Sequence, residues 1–262
     1  MNDNKKYTNL WTDNFDLSNA LEYDKKFYNQ FEKNIKHRQQ IEIIQKYLEN
    51  GYDWLDSPVG SGRMMNDIMH DRNNCYIFDY SQSFLSFSKD RLGLENSNVF
   101  QGDIFNIDLE RKFDLITCNN MLFAFENFDV IISKLINNLK KNGILICDVV
   151  NKDMYERYNS NVAEKRMNSK GWNKSDILKF CNLNNCEIVD IIPHDYYDNE
   201  YVLNWKREGN IFTKKMKSVF WKVLNKVYFK FYLFNLFNML EDKDKTFLFN
   251  KYIIILKKKS DY

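Results

Sequence analysis

Three short stretches carry side chains whose types and spacing suit the binding of a nucleoside. The first is WLDSPVGSGR, Trp54 to Arg63, which places Asp56, Ser57, Pro58, Gly60, Gly62 and Arg63 in one turn between a short apolar run and a following helix. Spaced glycines let a backbone approach a ligand closely and take dihedrals that side chains resist. The second is Asp79, seventeen residues after Gly62 in CYIFDYS, where an acid can accept from two ribose hydroxyls, followed by Tyr80. The third is QGDIF, where Asp103 can accept from an exocyclic amine and Ile104 can cover a base. Two other ligand classes fail on spacing. A dinucleotide fingerprint needs a small residue at the position held by Met65, and a phosphate loop needs Lys-Ser/Thr where Arg63 and Met64 stand.

The elements that position these residues follow from hydrophobic period. Residues 19–49 are charged with an apolar face that includes Leu21, Phe31, Ile35, Ile41, Ile44 and Leu48, which predicts helices ending at Gly51. Strands are expected at YDWLD, 75–81, 98–103, 112–120, 140–150, 186–197 and 249–258, with helices near 64–71, 82–92 and 127–140. Strands that alternate with helices through residue 150 predict an α/β fold, a parallel sheet with helices on both faces. We expect residues 1–50 to form an N-terminal helical cap, 51–199 plus 249–262 the core, and 200–248 a helical insertion before the last strand.

With these strand ends in order, the chain resembles the class I S-adenosylmethionine-dependent methyltransferases. WLDSPVGSGR resembles their first motif, with Pro58 in place of its usual first glycine. YIFDYSQSFLSFSKDRL, VFQGDIFNID, FDLITCNNMLFAF and LKKNGILICDVVN resemble the segments that follow, so that the likeness spans roughly residues 35–195 and 249–258. The resemblance implies a seven-stranded Rossmann-like sheet whose last strand is antiparallel. It implies S-adenosylmethionine as cofactor, with Asp56, Ser57, Pro58, Gly60, Gly62, Asp79, Tyr80, Asp103, Ile104 and Asn119 around it. In some members an Arg eighteen residues before the first-motif acid holds the cofactor carboxylate. Arg38 has that spacing, and the other reading is a solvated helix arginine.

In this fold the acceptor lies beyond the ends of strands four and five. Asn119, Asn120, Phe123, Phe125, Asp148 and Tyr155 are the candidates there. His194, in IIPHDYYDN, is a candidate general base if the sixth strand runs parallel to the first five; the alternative is a loop histidine without a role. Asp195 and dry surroundings are expected to tune it near neutral pH, and Tyr196 and Tyr197 to shape the pocket. The basic, aromatic stretch TKKMKSVFWKVLNKVYFKFYLFNLFNML in the insertion can cover the acceptor, pack on a second chain or lie on a membrane surface. Its apolar residues occupy more than one face, which favours burial against protein.

Lys and Arg number 38 against 36 Asp and Glu, so bulk electrostatics names no partner. The five cysteines form no C-x-x-C pair and no apolar leader or spanning run is evident, which leads us to expect a reduced, cytoplasmic protein without zinc. The expected function is methyl transfer to an oxygen or nitrogen of a small molecule or glycan precursor. Members with the proline variant and a long basic-aromatic insertion resemble those acting on cell-surface (capsule) polysaccharide precursors. An RNA methyltransferase and a non-catalytic cofactor-binding homologue are the alternatives. Asn119-Asn120 lacks the Pro-Pro-aromatic continuation of DNA amino-methylating enzymes, and the near-zero net charge weighs against nucleic acid.

Overall fold

The computed structural model describes residues 21–22, 24–25, 31–68, 74–153, 171–194, 216 and 251–259. Helix α1 (Phe31–Tyr47) precedes β1 (Asp53–Asp56), α2 (Arg63–Ile68), β2 (Asn74–Asp79), α3 (Gln82–Leu92) and β3 (Val99–Gln101). Then come β4 (Phe113–Cys118), α4 (Phe128–Asn137), β5 (Leu139–Val150), α5 (Lys174–Leu183), β6 (Cys186–His194) and β7 (Lys251–Lys258). The seven strands form one sheet in the order β3-β2-β1-β4-β5-β7-β6. β1 to β5 pair in parallel, while β7 runs antiparallel to both β5 and β6. β6 is therefore parallel to the first five, and its end opens on the same edge.

All four residues of β1 are buried. Alternation along the strands splits the core between the two faces. Trp54, Ile77, Leu115, Ile146 and Ile255 pack with Ile43 and Ile44 of α1, Met65 and Ile68 of α2, and Leu85 and Leu92 of α3. Leu55, Phe78, Ile116, Leu145 and Ile254 pack with Ile131, Ile132 and Leu135 of α4 and with Ile177 and Phe180 of α5. Helices thus cover both faces, as the alternation of elements implied.

Helix α5 is not among the elements read from hydrophobic period. Its signal is a capping box: Asn173 Oδ1 accepts from the Asp176 N–H at 3.0 Å, and Asp176 Oδ2 accepts from the Asn173 N–H at 3.2 Å. Trp172 then packs between Phe128 and Phe180, each 4.8 Å from it between ring centroids with the rings tilted.

One buried ion pair joins the last strand to the site edge. Lys251 Nζ donates to Asp148 Oδ2 at 2.5 Å, and the other carboxylate oxygen accepts from the Asn120 N–H at 2.5 Å. Asn120 has φ 58°, a conformation that asparagine tolerates better than most residues. The ammonium also lies 4.7 Å from the Phe123 ring centroid. The pair therefore fixes the turn after β4. Removing one member leaves a buried charge without its partner, which typically costs about 3–5 kcal/mol. Lys251→Met should lose stability on that scale in chemical denaturation, and a loss below about 1 kcal/mol would show that the pair does not anchor the turn.

Candidate functional site

A cleft of about 220 Å³ opens at the carboxyl ends of the strands, between the turns that follow β1, β2 and β4. Asp56, Pro58, Gly60, Ser61, Arg63 and Met64 line one side. Asp79, Tyr80, Asp103, Ile104 and Phe105 line the middle, and Asn119 to Met121 with Phe123 to Phe125 the other side.

The loop after β1 is held from several sides. The Val59 N–H donates to Phe78 O at 3.0 Å, and Ser88 Oγ of α3 donates to Gly60 O at 2.7 Å. The Gly60 N–H donates to Asp79 Oδ2 at 3.0 Å, and Arg91 Nη1 donates to Ser61 O at 3.1 Å. Ser61 Oγ donates to Asp24 Oδ1 at 2.5 Å, which brings a residue of the N-terminal segment onto the loop. Gly60 has φ +53° and open space where a Cβ would stand. Gly62, at φ +69°, has a different reason for its type: a Cβ there would meet Ser88 at 3.1 Å.

Three acids face the cleft. Burial pushes Asp56 up to about 7; the Thr117 hydroxyl, donating at 2.7 Å, and Arg63 pull it down, and Asp79 raises it. Burial also raises Asp79, against the backbone N–H groups of Ser81, Gly60 and Tyr80. Asp103 caps the turn Ile104–Asn106 by accepting from the Phe105 N–H at 3.0 Å. Both carboxylates retain lone pairs for a further donor.

Most residues expected from the sequence meet in this cleft: Asp56, Pro58, Gly60, Asp79, Tyr80, Asp103, Ile104, Asn119, Asn120, Phe123 and Phe125 line it. Ser57 and Gly62 do not, because Ser57 is buried beneath the loop with its N–H on Thr117 O, and Gly62 packs on α3. Arg38 is exposed on α1 and is not among the residues lining the cleft, as in the solvated-arginine reading, whereas its neighbour His37 and Gln40 face inward. Among the described residues, the cation that lines the cleft is Arg63, at the start of α2. The sequence signal for it was the arginine directly after the second glycine.

Asp148 stands behind the cleft wall, engaged with Lys251 and Asn120. His194 ends β6 at the expected edge but is 1% exposed and absent from the residues lining the cleft. Its Nδ1 lies 2.8 Å from Gln39 Oε1, and Gln39 Nε2 donates to Pro193 O at 3.1 Å, so the imidazole and its strand clasp α1. Burial lowers its pKa to about 3, with Asp148 opposing and Lys251 and Lys36 adding to the shift. The expected poise near neutral pH is therefore corrected, and a proton-accepting role finds no support in this placement. Asp195, Tyr196, Tyr197, Tyr155 and the insertion 200–248, Met216 excepted, lie outside the described residues.

The residues present fit S-adenosylmethionine, the cofactor that the resemblance implies. Gly60 offers a backbone cradle that a side chain would fill. The Asn119 amide is buried at both Oδ1 and Nδ2 with no hydrogen-bond partner among the described residues. Acids stand at the ends of β2 and β3 for hydroxyl and amine donors.

A methyltransferase-domain family model matches residues 48–216, more than half of the chain. The chain belongs to that methyltransferase family. No curated protein matches it in sequence. Among solved structures, it is similar to the magnesium protoporphyrin IX methyltransferase ChlM of Synechocystis PCC 6803 with bound S-adenosylhomocysteine. That likeness has 14% identity and a TM-score of 0.59, over 96% of this chain and 100% of that one. The N-methyltransferase NodS of Bradyrhizobium japonicum WM9, also with S-adenosylhomocysteine, shares 9% identity at a TM-score of 0.52, over 88% and 89%. The [4+2]-cyclase SpnF shares 14% identity at a TM-score of 0.54, over 85% and 81%. At these identities the likeness is one of fold.

Two expected outcomes follow for this methyltransferase. Gly60→Val places a β-branched side chain at positive φ, in the space of the cradle, and should abolish S-adenosylhomocysteine binding in calorimetry while the far-ultraviolet spectrum stays that of the wild type. Normal binding by the valine variant would mean that the loop does not touch the ligand. The second concerns His194. Between its folded value of about 3 and the ordinary 6.5, the unfolded chain binds a proton that the folded chain refuses, so this group's contribution to stability falls as pH drops below about 6.5. In His194→Gln that contribution is gone. The stability difference between wild type and variant should shrink in the wild type's disfavour from about pH 7 to about pH 4, and a difference independent of pH would show that the buried imidazole is not held neutral.

Proposed function

We propose that the protein transfers a methyl group from S-adenosylmethionine to an oxygen or nitrogen of a small-molecule or glycan-precursor acceptor. One observation carries this reading: a single cleft is lined both by the glycine loop with its strand-end acids and by the aromatic turn after β4. A donor in the first half then faces an acceptor in the second. When bound, the cofactor supplies an electrophilic methyl on a sulfonium, and the protein's part is to align the partners and exclude water.

Each part of the cleft has a role in that alignment. Asp79 accepts from the ribose hydroxyls, and Asp103 with Ile104 holds the adenine. Asn119 lines the cleft directly after β4, where its amide, without a partner among the described residues, can bond either the cofactor or the acceptor's nucleophilic atom. Phe105 and Phe125, whose rings meet edge to face at 5.2 Å, and Phe123 form an apolar platform for the acceptor. Such a platform suits a ring or a sugar face, which supports a small molecule or glycan precursor; the name of ChlM, a magnesium protoporphyrin IX methyltransferase, is consistent with a small acceptor. We keep the capsule-precursor acceptor and the lid role of residues 200–248 as parts of this proposal. A cytoplasmic location is supported by five free, buried cysteines, and among the described residues no helix is long and apolar enough to cross a membrane.

The test is release of S-adenosylhomocysteine on incubation with methyl-labelled cofactor and panels of sugar nucleotides, phenols and amines. Acceptor-dependent label transfer is expected, and cofactor binding without transfer to any panel would favour the non-catalytic homologue. Asp79→Ala should weaken S-adenosylmethionine and S-adenosylhomocysteine together by about 2–4 kcal/mol, since both present the same ribose. Phe123→Ala should raise the acceptor KM while leaving cofactor affinity intact; equal loss of both would remove the turn after β4 from the acceptor side.

A further inference from the structure

Asp24 is a buried carboxylate whose partners stand 37 and 67 residues further along the chain. Its Oδ1 accepts from Ser61 Oγ at 2.5 Å, and its Oδ2 accepts from Arg91 Nη1 of α3. The same Arg91 nitrogen donates to Ser61 O at 3.1 Å, so the three residues close a triangle on Ser61. Ser61 lines the cleft and stands between Gly60 and Gly62, both at positive φ.

The triangle divides the holding of the glycine loop between two parts of the molecule. Helix α3 takes the main chain. Ser88 Oγ donates to Gly60 O at 2.7 Å, and Arg91, about one turn further on, donates to Ser61 O. In a trans peptide the N–H lies opposite the C=O, so these ties turn the Ser61 N–H away from α3. Asp24, which precedes α1, takes the Ser61 side chain. Glycines on both sides leave the backbone around Ser61 a wide choice of dihedrals, so its shape depends on such outside ties. A hydroxyl that donates to a carboxylate makes one of the stronger ones. The buried carboxylate in turn needs its donors.

We infer that Asp24 is a positioning residue for cofactor binding and that it couples the seating of the N-terminal segment to occupation of the cleft. The inference rests on the reading that the cleft takes S-adenosylmethionine. Asp24 does not itself line the cleft, so it acts through Ser61. A ligand that meets the loop in this shape binds the form with Asp24 seated more tightly. By linkage the same ligand favours the seated form by the same factor.

The test joins calorimetry with S-adenosylhomocysteine to digestion by trypsin. Asp24→Ala and Ser61→Ala should each weaken S-adenosylhomocysteine by about tenfold, and the double variant should bind no worse than the weaker single one. Lys25 is exposed beside Asp24. Saturating S-adenosylhomocysteine should slow cleavage after Lys25 in the wild type by a similar factor, read by mass spectrometry, and should not slow it in Ser61→Ala. That variant removes one hydroxyl and keeps the test open if Asp24→Ala does not fold. Variants that lose stability but bind like the wild type would reduce the triangle to a structural role and overturn the inference, as would losses that multiply in the double variant. Wild-type binding that leaves Lys25 unprotected would overturn the coupling alone, whereas wild-type protein that does not bind S-adenosylhomocysteine would overturn the cofactor reading.

Discussion

The pairing of β1 with β2 on one side and with β4 on the other is the constraint from which the site follows. The chain leaves β1 and builds β2 and β3 in one direction, then returns to place β4 and β5 in the other. The turns after β1 and β4 therefore part company at the carboxyl edge, and a crevice must open between them. Because β1 is buried along its whole length, that crevice stands on the covered centre of the sheet. The glycine loop, Asp79 and the turn after β4 need only occupy the ends of strands already fixed to reach one another.

Polar burial is concentrated around that crevice, and its partners explain its cost. Asp79 is buried, yet two of its oxygens' contacts are backbone N–H groups of the glycine loop and of the start of α3. Asp148 is buried against Lys251 from the strand that closes the sheet. A buried carboxylate without such partners is strongly destabilising. The acids at the site are therefore also joints, each tying one turn to another strand, and a change at either reports on geometry as well as on binding. His194 belongs to the same class. It clasps α1 through Gln39, and Gln40 of α1 in turn meets Asn120 at 3.5 Å.

Fold and chemistry separate in this group of proteins. The chain shares its architecture with two methyltransferases and also with a [4+2]-cyclase at comparable TM-scores. The sheet thus supplies a crevice, while the reaction depends on which groups line it. Here the turn after β4 brings Phe123 and Phe125 to the cleft, beside the Asn119 amide, which has no hydrogen-bond partner among the described residues.

Local features made much of this legible without coordinates. Strand runs bounded by turns, the alternation with helices, the glycine spacing and the acids at strand ends are all short-range patterns, and they brought Asp56, Gly60, Asp79, Asp103 and Asn119 to one cleft as expected. Tertiary structure decided the direction of side chains on helices and the fate of groups far apart in the chain. Spacing alone pointed to Arg38, yet the rotation of α1 about its axis is set by packing on the sheet, which turns His37 inward and Arg38 out and leaves Arg63 to face the cleft. The sequence placed His194 at the right edge of the sheet. Only the contact of that edge with α1, across 155 residues of chain, made it a buried and neutral clasp, because burial depends on what covers a residue and not on its neighbours in sequence.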